Sequence, residues 1–140
     1  MKKIVFVCLG NICRSPMAEF VMKSLTDQLK IESRATSGWE HGNPIHRGTQ
    51  AIFKKYAIAY DRDKTSQQIS AADFADFDYV IGMDESNVRD LKRMAPEDFQ
   101  YKIYQFEEES VPDPWYTGDF DQTYDLVLAG CKKWLERLDG

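Results

Sequence analysis

No run of this chain comes near the eighteen or more consecutive apolar residues that would cross a bilayer. Met1-Lys2-Lys3 leads at once into the short tetrad Ile4-Val5-Phe6-Val7, which is too brief for a secretory leader and has no small-residue cleavage site behind it. Basic residues are outnumbered: 18 Lys and Arg face 23 Asp and Glu, and the net charge of −5 speaks against a nucleic-acid surface. Cysteine is scarce and odd in number, at three, with no zinc-ligand spacing. Neither a disulfide framework nor a metal site is expected, and nothing calls for a cofactor. Glycine is thin where nucleotide folds need it. Only Gly10 follows the first apolar run, so a dinucleotide fingerprint fails, and no Lys-Ser/Thr pair after a second glycine makes a nucleoside triphosphate loop. The two histidines, His41 and His46, lie in a loop-like stretch with no evident partner. Repeats, low-complexity tracts and linkers are absent, so 140 residues are expected to form one domain over 1–140. Without a membrane segment or leader, the expected compartment is the cytoplasm, which also keeps thiols reduced.

What is present is concentrated between Ile4 and Glu19. The tetrad, β-branched and aromatic, suits a strand buried on both faces. Ser15-Pro16 reads as a helix start, with a hydroxyl at the N-cap and proline at the first helical position. Between them runs Cys8-Leu9-Gly10-Asn11-Ile12-Cys13-Arg14. Gly10 and Asn11 tolerate positive φ, so the loop can curl and turn its amides inward. Inward amides beside a helix N-terminus form an anion cradle. Arg14 adds a permanently charged planar fork that matches two phosphate oxygens. An ordinary thiol with a pKa of about 8.5 is only a few per cent ionised at neutral pH, so a cysteine nucleophile needs about 3–4 kcal/mol of preference for its anion. A helix terminus supplies at most about 2 kcal/mol of that. The converging amides and Arg14 must provide the remainder, and a pocket that stabilises a thiolate in this way also holds a phosphate dianion.

The remaining pattern alternates strands and helices. Met17, Val21, Leu25 and Leu29 extend a helical stripe to about Leu29. Ile31 to Ser37 reads as a second strand, residues 38–44 as a loop, Gln50 to Tyr56 as a short helix and 57–70 as mostly irregular. Asp73, Phe74 and Phe77 suggest one helical turn. Tyr79 to Met83 reads as a third strand and Asp84 opens a helix reaching Met94. Ile103 to Phe106 is a fourth, shorter strand. Tyr124, Val127, Leu128, Cys131, Trp134, Leu135 and Leu138 mark one face of a last helix capped by Gly118 or Asp119. This order predicts an α/β domain with a parallel sheet, and Cys8 at the carboxyl end of the first strand, where such sheets bind ligands.

The segment Cys8-Leu9-Gly10-Asn11-Ile12-Cys13-Arg14-Ser15 resembles the signature of the low-molecular-weight protein tyrosine phosphatases. The likeness extends to Phe77-Asp78-Tyr79, to Met83-Asp84-Glu85-Ser86-Asn87 and to Asp113-Pro114-Trp115-Tyr116, and so covers nearly the whole chain. It implies a three-layer, doubly wound domain: a central four-stranded parallel sheet with helices on both faces. It also implies hydrolysis of phosphotyrosine monoesters through a cysteinyl phosphate. Cys8 would be the nucleophile and Leu9 through Arg14 the phosphate-binding loop. Asp113 would be the general acid and then base, in a loop stiffened by Pro112 and Pro114. Proton donation to a departing phenolate is worth about 10²–10⁴ in rate. The resemblance makes Ser15 a hydrogen-bond donor to the sulfur, beside its reading as a plain N-cap. It makes Asn11 a buttress with Ser33 as hydroxyl partner, and Cys13 a redox partner that closes a reversible disulfide with Cys8; a small buried residue is the other reading of Cys13. Trp39, Glu40, Trp115 and Tyr116, with Leu9 and Ile12, would wall a slot deep enough for phosphotyrosine. Cys131 falls on an apolar helix face and reads as core.

The partner implied is a tyrosine-phosphorylated protein, with a tyrosine kinase among the candidate substrates. No nucleic acid or membrane is involved, and the chain is expected to be a monomer. Two segments depart from the family pattern. Residues 42–47 are one residue short and lack an aspartate, and Lys64-Thr65-Ser66-Gln67 stands where members often show His-x-Ala-Arg. Both bear on the support of Asn11 and on substrate preference. Arsenate reductases of this fold carry further redox cysteines after the third strand, and residues 78–95 hold none. Arginine phosphatases of this fold carry threonine at the position of Ile12, whose apolar side chain favours an aryl ester. A phosphate-binding or thiol-sensing module without turnover is the non-enzymatic alternative.

Overall fold

The computed structural model describes residues 1–139. The strands are β1 (Lys2–Cys8), β2 (Leu29–Ala35), β3 (Tyr79–Gly82) and β4 (Ile103–Gln105), all parallel, in the order β2-β1-β3-β4. The helices are α1 (Arg14–Leu25), α2 (Arg47–Lys55), α3 (Ala71–Asp76), α4 (Glu85–Met94), α5 (Pro114–Thr117) and α6 (Phe120–Asp139), with a 3₁₀ segment at Glu97–Lys102. No helix is long and apolar enough to cross a membrane among the described residues.

Ile4 through Val7 are wholly buried, as the continuous apolar run requires. Their alternation divides the core. Ile4 and Phe6 pack with Met17, Val21, Phe53, Val127 and Trp134 of α1, α2 and α6. Val5 and Val7 face the other way, onto Phe74 of α3 and Leu91 of α4. Helices therefore cover both faces of the four-stranded parallel sheet, as expected. The chain leaves β1 toward β2 and returns past it to β3, so the topological switch lies between the carboxyl ends of β1 and β3.

Several boundaries differ from the sequence reading. The α1 stripe stops at Leu25, because Thr26 turns extended while its amide closes onto Met22, and Leu29 opens β2 opposite Lys2. β2 thus begins and ends two residues early, and Ser37 bonds instead to the Leu9 carbonyl through both its amide and its hydroxyl. α2 starts at Arg47 because His46, unassigned from the sequence, is its N-cap: Nδ1 accepts from the Gly48 amide at 2.9 Å. The helical turn at 71–76 carries a full capping box, Ser70 with Asp73. Asp119 caps α6, accepting from the Gln122 amide. Gly82 is where β3 must stay bare: a Cβ there would sit 2.9 Å from Val88 and 3.1 Å from its backbone nitrogen, so only glycine lets the first turn of α4 close over the strand end.

Candidate active site

The loop after β1 closes on its own cysteine. The Asn11 amide donates to Cys8 Sγ at 3.2 Å, and Ser15 Oγ lies 3.0 Å from the same sulfur. Asn11 Nδ2 donates to Ser15 Oγ at 2.8 Å, so that oxygen is already an acceptor and its proton is left for the sulfur or, at the longer 3.4 Å, for the Arg34 carbonyl. Asn11 takes the positive φ anticipated for the loop, 57°, whereas Gly10 does not. The amides of Gly10, Ile12, Cys13 and Arg14 have no main-chain acceptor among the described residues. Such a run of free donors suits an oxyanion.

Ser15 is not the N-cap. α1 begins two residues earlier than that reading, at Arg14, with Cys13 in the cap position and no side-chain cap bond, and Pro16 falls in the third helical position. The Ser15 hydroxyl points to the sulfur instead of to an orphan amide, so its link to Cys8 displaces the capping role. Ser33 does not support Asn11 either. It donates to Glu19 at 2.6 Å, and the Asn11 side-chain carbonyl is held by the Gln67 amide at 3.2 Å. The 64–67 segment that departs from the family pattern thus supports Asn11 through its main chain.

Arg14 is almost fully buried. One terminal nitrogen donates to Asp84 Oδ2 at 2.6 Å and to the Val111 carbonyl at 2.9 Å; the other lies 3.5 Å from Asp113. Nε is buried with no partner, which leaves part of the fork free for a ligand. Burial works against the charge, but Cys8, Asp84 and Asp113 outweigh it and hold the guanidinium above its usual range. Asp84 was legible only as a helix start. It does cap α4, accepting from the Asn87 amide, and its second oxygen aligns Arg14. Its position at the carboxyl end of the strand beside β1 was the available signal.

Asp113 follows β4 and caps the short helix α5, with Oδ1 accepting from the Trp115 amide at 3.1 Å. A cleft of about 140 Å³ brings it together with Cys8, Leu9, Gly10, Asn11, Ile12, Cys13, Arg14, Trp39, Glu40, Trp115 and Tyr116. All the residues expected to form the pocket are there. The aromatic walls are open to solvent: Trp39 is 80%, Trp115 56% and Tyr116 78% exposed. His46 lies behind one wall, edge-on to Trp115 and stacked on Phe120, and its amide donates to the Ile12 carbonyl. No local pattern around His46 signals this link between the two loops.

Cys13 shares the loop but not the environment. Burial, then the nearby Cys8 and Asp113, push its thiol well above the usual range. All three cysteines are free, and Cys131 is buried in the core as expected.

Comparison with known proteins agrees with this geometry. Residues 3–140 match the family model for low molecular weight phosphotyrosine protein phosphatase. The chain is 45% identical to the low molecular weight protein-tyrosine-phosphatase PtpA of Staphylococcus aureus, over 94% of this chain and 90% of that one. It superposes with a TM-score of 0.97 on the crystal structure of a low molecular weight protein tyrosine phosphatase from Streptococcus pyogenes, 63% identical, covering 99% of this chain and 93% of that one. A Drosophila arginine phosphatase has the same fold at a TM-score of 0.89 and 30% identity, covering 100% and 99% of the two chains. With a family model matched along nearly its whole length and relatives this similar, the chain belongs to the low molecular weight phosphotyrosine protein phosphatase family.

Proposed function

We propose that the cleft hydrolyses phosphotyrosine in proteins through a phosphocysteine on Cys8. The Cys8 sulfur attacks phosphorus and the P–O bond to the phenol breaks. The phosphoryl oxygens lie against the loop amides and the free Nε of Arg14, and Asp113 gives its proton to the departing phenolate. In the second half Asp113, now a carboxylate, takes a proton from the water that attacks phosphorus. The S–P bond then breaks, with the Ser15 hydroxyl placed to hydrogen-bond the returning thiolate. The reaction as drawn needs no metal or cofactor.

The observation that carries this reading is the convergence on one sulfur of the Asn11 amide and the Ser15 hydroxyl, beside a buried guanidinium with an unused donor. Ile12 presents an apolar side chain to the cleft, which favours an aryl ring over the guanidino group of phosphoarginine. Trp39, Glu40, Trp115 and Tyr116 form the substrate walls. Cys13 is the candidate partner for a reversible disulfide that shields Cys8 from over-oxidation. The chain works as a single monomeric domain over 1–140 in the cytoplasm, on a tyrosine-phosphorylated protein, a tyrosine kinase being one such substrate. The decisive experiment is hydrolysis of p-nitrophenyl phosphate by the wild type and by Cys8→Ser. Turnover that falls about 10⁴-fold or more in the variant supports the scheme, and turnover that survives removes Cys8 as nucleophile. Parallel assays on phosphotyrosine and phosphoarginine decide the substrate class.

A further inference from the structure

We infer that Ser66, a residue outside the loop and outside the family pattern, is a positioning residue for the nucleophile; this rests on the function proposed above. Ser66 is 1% exposed, and its hydroxyl donates to the Gly10 carbonyl at 2.7 Å. That carbonyl has no other hydrogen bond among the described residues. The oxygen belongs to the same peptide unit as the Asn11 N–H, which donates to Cys8 Sγ at 3.2 Å. A trans peptide is planar, with its C=O and N–H pointing in opposite directions. Pinning the oxygen at one end therefore aims the N–H at the sulfur from the other.

The pin itself is well anchored. The Ser66 amide donates to the Asn43 carbonyl at 2.8 Å and its own carbonyl accepts from the Gly42 amide at 3.0 Å. The next residue holds Asn11 through Gln67 N–H, and Lys64 Nζ donates to the Ser33 carbonyl at 2.9 Å. The 42–43 turn that grips Ser66 is tied in turn to Glu40 of the pocket, whose carbonyl accepts from the Asn43 amide at 2.8 Å. Asn11, at φ 57°, takes the left-handed turn that asparagine tolerates, which directs its amide back toward the sulfur. Without the hydroxyl, the Gly10 carbonyl loses its partner and the peptide can rotate, withdrawing a donor from the sulfur and bringing an oxygen toward the phosphate.

Ser66→Ala tests this by four readouts: steady-state hydrolysis of p-nitrophenyl phosphate, competitive inhibition by inorganic phosphate, Cys8 alkylation by iodoacetamide at one fixed pH, and the thermal melt. The expected result is a rise of about tenfold in both KM and the phosphate inhibition constant, with alkylation slowed several-fold, in a variant that still melts cooperatively. A merely structural serine would lower the melting temperature and leave phosphate inhibition and alkylation within about twofold of wild type; that outcome overturns the role. Wild-type protein that neither turns over p-nitrophenyl phosphate nor is inhibited by phosphate would sink the proposed function itself. Active wild type with an indistinguishable Ser66→Ala variant would sink only Ser66.

Discussion

The phosphate loop and the loop bearing Asp113 face each other across one cleft, yet they are held in contrasting ways. From Asn11 to Ser15 every residue is buried. The Leu9 carbonyl takes Ser37, the Gly10 carbonyl Ser66, the Ile12 carbonyl the His46 amide and the Cys13 carbonyl the Thr49 hydroxyl. Four of the loop's carbonyls are thus tied to surrounding elements, while the amides of Gly10, Ile12, Cys13 and Arg14 have no main-chain acceptor among the described residues. The second loop is exposed from Glu108 to Ser110 and again from Trp115 to Asp119. Its main anchors are Val111, bonded through its amide to Met83 and through its carbonyl to Arg14, and the Asp113 cap on Trp115. The difference follows from the two tasks. Charge that develops on a phosphoryl group is stabilised by dipoles fixed in advance. A proton donor must stand beside the path by which the ring enters and leaves, so its loop borders solvent.

If this division is right, lesions on the two sides differ in kind. The largest effect is expected for Arg14→Lys, which replaces a fork shared among Asp84, Val111 and a ligand with a point charge. kcat/KM falls about 10³-fold for every substrate, whatever its leaving group. A loss that varied with leaving group would break the contrast. Asp113→Ala comes next: about 10²-fold loss on phenyl phosphates that leave poorly and little on strongly activated ones, measured as the slope of log kcat/KM against leaving-group pKa. Equal losses across the series would remove Asp113 from proton donation. The smallest is Trp115→Ala, which takes one aromatic wall from the open side. KM for a phosphotyrosine peptide rises by up to about tenfold while turnover of p-nitrophenyl phosphate stays near wild type. A matching loss on the small substrate would show that the wall shapes the chemistry as well as the fit.

Features encoded locally were readable before any coordinates. The run Ile4–Val7 and the cysteine-to-arginine spacing announce themselves within a few residues, and the sheet follows from the alternation of apolar runs with helical stripes; Asp113-Pro114 by itself reads as an ordinary turn and stands out only through the family resemblance. What escaped was whatever depends on distant partners. Asp84 meets Arg14 across 70 positions, and Ser66 meets Gly10 across 56. Composition near either residue says nothing of these meetings. Ser15-Pro16 misled for a related reason: hydroxyl then proline is a good helix start, but the sulfur outcompeted the helix amides for that hydroxyl. His46 looked idle because its ring partners, Trp115 of α5 and Phe120 of α6, are far along the chain, and because histidine is not among the usual N-cap residues although its cap on Gly48 is local.

The order in which these groups leave the ribosome has a cost. Cys8 is made 105 residues before Asp113, and Ser66 and Asp84 also come after it. At about 5–20 residues per second, a nascent thiol waits roughly 5–20 s before the last of its companions exists. During that interval neither the sulfur of Cys8 nor that of Cys13 has its folded shelter, and both stand open to oxidants that the finished protein keeps away from Cys13. Burial of Cys13, 4% exposed in the folded chain, therefore shelters that thiol only once the chain has closed around it.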